Sequence, residues 1–258
     1  MKRIAIKLKK LFYSTQIIPP QIPQIHKTTL QYVSDVHLER RESFPKIPVH
    51  SKNIALIGDI GNPFKENYSD FLKYTSDNFE RVFLIAGNHE YWHHGNSHNK
   101  VNDKILTIAN KSSNVEFLNN SQTSLDNYII FGGTLWASHS YFPYNIYHKN
   151  CVAWLEKMLQ NHKDNVKTEE NNIIILTHYL PSYKLIVPKY KQACYDGIRN
   201  KYASDLDYLI TKPISFWLCG HSHCNFQLSI NGVNCAINAF GYPNELEEEN
   251  TKINVIVL

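Results

Sequence analysis

The sequence predicts an α/β fold in which short strands alternate with longer amphipathic helices. Two observations support this prediction. From residue 30 onward, short apolar runs alternate with longer stretches in which apolar residues recur at helical spacing. The chain of 258 residues is 43% hydrophobic and 19% charged, a globular composition with enough apolar residues for a sizeable core. A largely disordered protein is therefore excluded.

Strands are predicted where the apolar runs are short, at residues 30–33, 53–57, 81–86, 115–118, 128–131, 173–176 and 214–219. Helices are predicted between them at residues 69–78, 100–110, 151–160 and 204–210. In the second helix, Val101, Ile105 and Ile108 share one face because they are three or four residues apart. Near the C-terminus, residues 226–230 and 233–237 flank Asn231-Gly232, a pair typical of a hairpin turn, and residues 253–258 could add a last strand.

Residues 1–28 differ from the rest of the chain because they contain several lysines, an arginine and no acidic residue. We predict a basic N-terminal arm there and one domain over residues 29–258. A solvated or loosely docked arm is the simplest interpretation, and an organelle presequence or an anchor for anionic lipid are the alternatives. No apolar run approaches the ~20 residues that a membrane-spanning helix needs.

Charge and cysteine content limit the compartment and the partners. The net charge is +4 and the pI is near 8.6, an excess too mild to indicate a dedicated nucleic-acid-binding protein. The five cysteines are odd in number and form no C-x-x-C pair. We therefore expect reduced thiols and a cytoplasmic protein rather than a disulfide framework or a structural zinc site.

Polar side chains that bind metals or move protons follow five of the predicted strands, at the point where each strand ends. They are Asp35, His37, Asp59, Asn88, His89, His178, His221 and His223. Each motif alone is weak evidence, since an isolated Asp-x-His or Gly-Asp is usually part of a turn. Together they are strong evidence, because ligands of open α/β sheets bind at the carboxyl ends of the strands.

The donor types in this set predict a particular chemistry. Carboxylate and amide oxygens with imidazoles, and without a thiolate, suit manganese, iron, zinc, cobalt or nickel. Seven such ligands, which are all of the set except His89, exceed what one ion accepts, but two ions that share a carboxylate would use them all. Ions about 3.5–4 Å apart can clamp the attacking and leaving oxygens of an in-line displacement at phosphorus, and a water between them ionises near neutral pH. Phosphoester hydrolysis is therefore favoured over acyl or glycosyl transfer.

The ordered motifs D-x-H, G-D, G-N-H-E, H and G-H-x-H resemble those of the calcineurin-like metallophosphoesterase superfamily. The resemblance extends from about residue 30 to the C-terminus. The flanking segments SDVHLE, GTLWAS, THYLPS and NAFGYPNE are similar to those of the small single-domain bacterial-type members. The resemblance implies a four-layer α/β/β/α sandwich of two packed mixed sheets flanked by helices.

The resemblance also implies a role for each residue of the motifs. The metal ligands would form two groups with a shared member: Asp35, His37 and His223 for the first ion, Asn88, His178 and His221 for the second, and Asp59 as the bridge. Manganese is the ion most expected. His89 would bind no metal, and would instead protonate the departing oxygen or stabilise charge on the phosphoryl group.

Two departures from the superfamily's motifs narrow the expected substrate. Asp59 is followed by Ile-Gly-Asn-Pro, so the substrate-binding arginine of the serine/threonine phosphatase motif G-D-x-x-D-R-G is missing. Asn62 stands where nucleases of double-strand-break repair carry a histidine. We therefore expect a phosphodiesterase or phosphomonoesterase acting on a small-molecule or nucleotide-like substrate. A nuclease on DNA or RNA and a non-catalytic scaffold of the same fold are the alternatives.

Substrate contacts are predicted from residues close to the motifs. Tyr91 and Trp92 could form an apolar wall for a nucleobase or an aromatic leaving group, with core packing as the alternative. His139 could reach the edge of the metal site. Arg199, in the loop between two of the ligand histidines, could bind phosphate oxygens, with a solvated loop as the alternative.

Overall fold

The computed structural model describes residues 27–92, 95–137, 143–165, 172–186, 201–245 and 254–258. They form two mixed β-sheets flanked by helices, which confirms the predicted α/β class and the two-sheet sandwich that the resemblance implied. Most of the basic arm lies outside the described residues, so the boundary between arm and domain stays a prediction.

The two sheets are built from the strands β1 (Thr29–Val33), β2 (Asn53–Ile57), β3 (Arg81–Ile85), β4 (Val115–Phe117), β5 (Ser121–Leu125), β6 (Tyr128–Gly133), β7 (Ile173–Thr177), β8 (Ile214–Cys219), β9 (Asn225–Ile230), β10 (Val233–Asn238) and β11 (Asn254–Val257). The first sheet has the order β11-β1-β2-β3-β4 and the second the order β5-β6-β7-β8-β10-β9. In each sheet the inner strands run parallel, and β11, β5 and β9 pair antiparallel at the edges. The parallel strands of each sheet therefore end at a common edge.

The core between the sheets explains why strands such as β2 are apolar throughout. Ala55 and Ile57 belong to the cluster between the sheets, whereas Ile54 and Leu56 belong to the cluster that includes the helices. All four side chains are fully buried. Burial of one such aliphatic side chain contributes about 1.5–3 kcal/mol, so a parallel strand covered on both faces needs apolar residues at every position.

Three helices of the described residues form the outer layers: α1 (Glu66–Asn78), α2 (His98–Ala109) and α3 (Tyr144–Asn165). The helices α1 and α2 cover the first sheet. The helix α3 covers the second sheet, where the Trp154 ring lies 5.8 Å from the Phe131 ring. Ser97 caps α2, because its side chain accepts a hydrogen bond from the Lys100 amide. Among the residues described, no helix has the length and apolar character to cross a bilayer.

The helix predicted at residues 204–210 is wrong, since the chain turns at residues 207–209. The backbone N–H groups of Ser204 and Leu206 donate to the carbonyls of Leu180 and Pro181, at 3.0 and 2.9 Å. These bonds tie the segment to the chain that follows β7, so pairing with a distant segment determines its conformation. The strand β5 was not predicted for a simpler reason. Its sequence SQTSL is polar, as suits an edge strand with exposed side chains.

Candidate metal centre

The candidate ligands come together because the two sheets meet at the carboxyl ends of their parallel strands. Ser34, directly after β1, forms a parallel bridge with Ala239, directly after β10. Its amide donates to the Asn238 carbonyl at 2.9 Å, and its carbonyl accepts from the Phe240 amide at 2.8 Å. The residues that follow β1, β2 and β3 in one sheet therefore face those that follow β7 and β8 in the other.

Most of the candidate ligands occupy left-handed backbone. The φ angles are 56° at Asp35, 51° at His37, 52° at Asp59, 67° at His221 and 44° at His223. A residue with a side chain pays about 1–3 kcal/mol for such a conformation, and the conformation persists only where surrounding contacts impose it. Strain of this kind is typical of a functional site.

The first group contains Asp35, His37 and His223. Nε2 of His37 lies 3.0 Å from Nε2 of His223 and 4.0 Å from Oδ1 of Asp35, and Nε2 of His223 lies 3.5 Å from the same oxygen. Metal–nitrogen bonds are about 2.0–2.1 Å long, so ligand atoms separated by these distances fit around one ion. The Asp35 carboxylate is oriented by the backbone, because both of its oxygens accept a hydrogen bond from the His221 amide, at 3.1 and 3.0 Å.

The second group contains Asp59, His178 and His221, whose ligand atoms lie within 4.8 Å of one another. Asn88 is buried, and neither polar atom of its amide has a hydrogen bond among the described residues. A buried amide without a partner is costly, so a cation bound to its oxygen would remove a real penalty. Burial, followed by repulsion from His178, lowers the pKa of His221 to about 3, which keeps this imidazole in the neutral form that metals bind.

Asp59 lies between the two groups. Its Oδ2 is 3.2 Å from Nε2 of His178 and 3.9 Å from Nε2 of His37. Burial opposes the charged form of both Asp59 and His178. Their mutual attraction outweighs it, lowers the pKa of Asp59 well below its usual range and raises that of His178 to about 9. Without a cation, Asp59 and His178 therefore form an ion pair, and a cation can take the place of the proton on His178.

Three of the histidines are oriented by acceptors on their outer nitrogen. Nδ1 of His37 donates to Glu39 at 2.8 Å, Nδ1 of His178 donates to the Ile57 carbonyl at 3.0 Å, and Nδ1 of His223 donates to Glu245 at 2.6 Å. Since ionised carboxylates and carbonyls only accept, each Nδ1 carries a proton. The Nε2 lone pairs therefore face the centre, which is the usual arrangement of metal-binding histidines. The donor set fits divalent cations.

The family comparison agrees with this geometry. A sequence model described as calcineurin-like phosphoesterase matches residues 32–225, a range that contains all the candidate ligands. The chain belongs to the calcineurin-like phosphoesterase family. The predicted resemblance is therefore confirmed at the level of the family.

Relatives of this calcineurin-like phosphoesterase extend the comparison. "Uncharacterized protein L509" of Acanthamoeba polyphaga mimivirus is 29% identical over 257 residues, and the match covers 84% of this chain and 92% of that protein. The structure of phosphopantetheinyl hydrolase (PptH) from Mycobacterium tuberculosis has a TM-score of 0.60 at 13% identity and covers 89% of this chain and 96% of that one. A second crystal structure has a TM-score of 0.55 at 10% identity, with 90% and 99% covered. These structures share the fold.

In this calcineurin-like phosphoesterase, Glu90 holds in place the loops around Asp59, the candidate ligand between the two groups. It is fully buried, and its carboxylate accepts from four backbone amides. The donors are Asp59 at 3.1 Å, Ile60 at 2.7 Å, Gly61 at 3.3 Å and Gly87 at 2.8 Å. Gly58 completes the junction, because its φ is 75° and a Cβ there would lie 2.6 Å from the Gly87 nitrogen. Glu90 and Gly58 thus explain the glutamate of G-N-H-E and the glycine of G-D in structural terms.

Replacing Glu90 with Ala is expected to lower the free energy of unfolding by about 3 kcal/mol or more, because it leaves several buried N–H groups without an acceptor. The measurement is urea denaturation of the metal-free protein, which separates folding from metal binding. Asp70→Ala, which removes an exposed carboxylate from α1, is the control and should change the free energy by less than about 0.5 kcal/mol. An unchanged midpoint for Glu90→Ala would contradict this role.

His89 lies at the open side of the centre. Its Nε2 is 3.9 Å from Oδ2 of Asp59 and 3.4 Å from the Tyr242 hydroxyl. The Trp92 ring lies 4.5 Å from the His89 ring and is 52% exposed. The exposed Arg40 guanidinium lies 5.9 Å from the Tyr242 ring. His89 thus lies between the Trp92 and Tyr242 rings, and the second of these rings has an exposed cation beside it.

Of the residues predicted to contact substrate, Tyr91 is packed in the core. Tyr91 is 7% exposed, its hydroxyl donates to Asn102 at 2.7 Å, and its ring stacks on His98 at 4.2 Å. These contacts are those of a packed core residue, the alternative stated for it. His139 and Arg199 lie outside the described residues, so their roles stay predictions.

Sequence reasoning missed residues that orient the centre. Glu39 and Glu245 hold ligand histidines, and Tyr242 lies 4.3 Å from the His37 ring and 4.7 Å from the His223 ring. The available signal was their position in SDVHLE and NAFGYPNE, segments whose similarity to the family was noted without a role for these side chains. Spacing alone offers no signal for Glu245, because it lies 22 residues from His223 in the sequence.

Proposed function

We propose that this protein hydrolyses phosphoesters, either diesters or monoesters, with the help of two divalent cations. The observation that supports the proposal is the position of Asp59, whose Oδ2 is within 4 Å of imidazole nitrogens from both ligand groups. One carboxylate between two groups is what a two-metal site requires. Asp35, His37 and His223 would hold one cation and Asn88, His178 and His221 the other, with manganese the first ion to test.

The bound cations would neutralise charge on the phosphoryl oxygens and lower the pKa of a water between them. The residues of the chain contribute orientation and a proton. The ring of His89 is on the open side and its Nδ1 is held by a carboxylate, so its Nε2 can carry a proton toward the departing oxygen. The Tyr242 hydroxyl, 3.4 Å from that nitrogen, can steady the ring in this position.

The substrate proposed is a small or nucleotide-like phosphoester with a flat apolar group. Trp92 supports this, since more than half of this large side chain is exposed while its ring lies against His89. Exposed aromatic surface beside a reactive group offers a stacking platform for an aryl group or a base.

Trp92→Ala is expected to lower kcat/KM for p-nitrophenyl phosphate about tenfold, since stacking of one ring contributes roughly 1–2 kcal/mol. The value for ethyl phosphate, which has no ring to stack, should stay within about twofold. Trp92→Phe is the matched variant that keeps a ring and should recover most of the loss. Equal losses on both substrates would contradict a stacking role.

Metal removal tests the proposed function directly. Protein stripped with a chelator should have no turnover of p-nitrophenyl phosphate or bis(p-nitrophenyl) phosphate, and about two equivalents of manganese per chain should restore it. The same reconstitution is repeated with iron, zinc, cobalt and nickel. Stable binding of two ions without turnover of either ester would favour the scaffold alternative. Cleavage of plasmid or oligonucleotide that strengthens at low salt would favour the nuclease.

A further inference from the structure

One carboxylate oxygen joins a candidate metal ligand to the candidate acid. Oε1 of Glu39 accepts from Nδ1 of His37 at 2.8 Å and from Nδ1 of His89 at 2.9 Å. The two imidazole rings are themselves in contact, with centroids 4.5 Å apart and planes at 74°. A carboxylate oxygen has two lone pairs, so it can accept both hydrogen bonds at once.

We infer that Glu39 is the positioning residue that aligns His89 with the first metal group, by holding a proton on Nδ1 of both His37 and His89. This inference rests on the proposed function. With Nδ1 protonated, the Nε2 lone pair of His37 is left for a cation. Nε2 of His89 is then left on the open side, where it can carry the proton for the departing oxygen. A displaced Glu39 would move both rings together.

The placement of Glu39 makes this alignment rigid. The residue belongs to a short 3-10 turn that begins directly after His37, and its side chain is only 10% exposed. The Leu38 amide donates to the Ile60 carbonyl at 2.9 Å, and Asn67 donates to the Leu38 carbonyl at 3.0 Å. The turn is therefore fixed to the loop that follows β2, which also carries the central carboxylate. Oε2 of Glu39 is buried and has no hydrogen bond to any residue within the described ranges.

The decisive variants are Glu39→Ala and Glu39→Gln. Alanine removes the acceptor of both bonds. Glutamine keeps an oxygen of the same reach, removes the charge and puts an amide nitrogen in place of Oε2, which has no hydrogen bond among the described residues. Glu42→Ala, an exposed glutamate of the same segment, is the control for loss of a carboxylate and should behave as the wild type. Zinc-loaded protein with 15N-labelled histidine gives a readout independent of turnover, because the imidazole nitrogen shifts report which nitrogen carries the proton.

For Glu39→Ala we expect metal affinity to fall about 10–100-fold and the Nδ1-protonated signal of His89 to be lost. At saturating metal, kcat for phenyl phosphate should fall by about the same factor, and kcat for p-nitrophenyl phosphate by less than about threefold, because nitrophenolate leaves without a proton. Glu39→Gln should recover most of each loss. In a His89→Ala background, Glu39→Ala should add little to the loss on phenyl phosphate.

Three results would overturn the inference. They are an unchanged His89 signal in Glu39→Ala, a Glu39→Gln variant as impaired as Glu39→Ala, and an equal loss from Glu39→Ala with or without His89. A wild-type protein that turns over no phosphoester would instead refute the proposed function. In that case the metal affinity and the 15N spectrum of the histidines still test whether Glu39 holds His37 and His89 in place.

Discussion

Asp59→Asn is expected to lower turnover on the order of a thousandfold or more and to reduce the bound metal from about two ions per chain to one or none. Asparagine has the size of aspartate and keeps the Oδ1 atom that accepts from the His89 amide at 2.8 Å. It replaces the charged Oδ2, which lies close to Nε2 of both His178 and His37, with an amide nitrogen. The loss should therefore come from the cations and not from a collapsed loop.

Metal analysis by mass spectrometry and kcat on bis(p-nitrophenyl) phosphate are the measurements for Asp59→Asn. Asp103→Asn, at an exposed position of α2, is the control. It should bind metal and turn over bis(p-nitrophenyl) phosphate as the wild type does. A variant of Asp59 that keeps two ions and full turnover would show that this carboxylate does not bridge them.

The convergence of the ligands could be predicted from the sequence because it follows from a general property of parallel strands. Asp35, Asp59 and Asn88 each lie within three residues of the end of an apolar strand, and parallel neighbours such as β1, β2 and β3 end at one edge. Residues at the ends of these strands must then be close, whatever the loops do. The same reasoning applied separately to His178 and His221 in the second sheet.

The relation between the two sheets could not be predicted from strand ends. It depends on tertiary pairing of Ser34 with Ala239 and on a packed interface, neither of which has a local signal. The left-handed backbone at the ligands is also hidden, because aspartate and histidine usually adopt other conformations. The helix expected at residues 204–210 failed for the same reason: bonds to Leu180 and Pro181 decided its conformation, and its own sequence did not.

Most of the groups whose roles sequence reasoning missed are hydrogen-bond acceptors. Glu39, Glu245 and the Ile57 carbonyl accept from the outer nitrogens of histidines, and Glu90 accepts from the amides around Asp59. None of them needs to approach an ion. Their effect is to fix proton positions and loop geometry before any cation binds, which lowers the reorganisation that binding requires.

His89→Ala is expected to lower kcat for phenyl phosphate by roughly 10²–10⁴, the usual contribution of a general acid, and to leave about two metal ions bound. The reason is geometric. Nδ1 of His89 is held by Glu39, and its Nε2 lies 3.9 Å from Oδ2 of Asp59 and 3.4 Å from the Tyr242 hydroxyl. The ring lies near His37 and Asp59, with which it forms a further group of possible ligand atoms, but the proposed assignment gives His89 no ion. Its loss should then remove a proton donor and leave the seven proposed ligands in place.

The dependence on the leaving group separates this role of His89 from a general disturbance of the site. Nitrophenolate departs without a proton, whereas phenolate, with a pKa of about 10 like that of tyrosine, benefits from one. The loss in His89→Ala should therefore be much smaller for p-nitrophenyl phosphate than for phenyl phosphate. His50→Ala, which removes an exposed histidine, should change neither value. A loss of the same size on both esters with metal retained would mean that His89 stabilises charge on the phosphoryl group and does not protonate the departing oxygen. A loss of metal would mean that His89 helps to hold the ions.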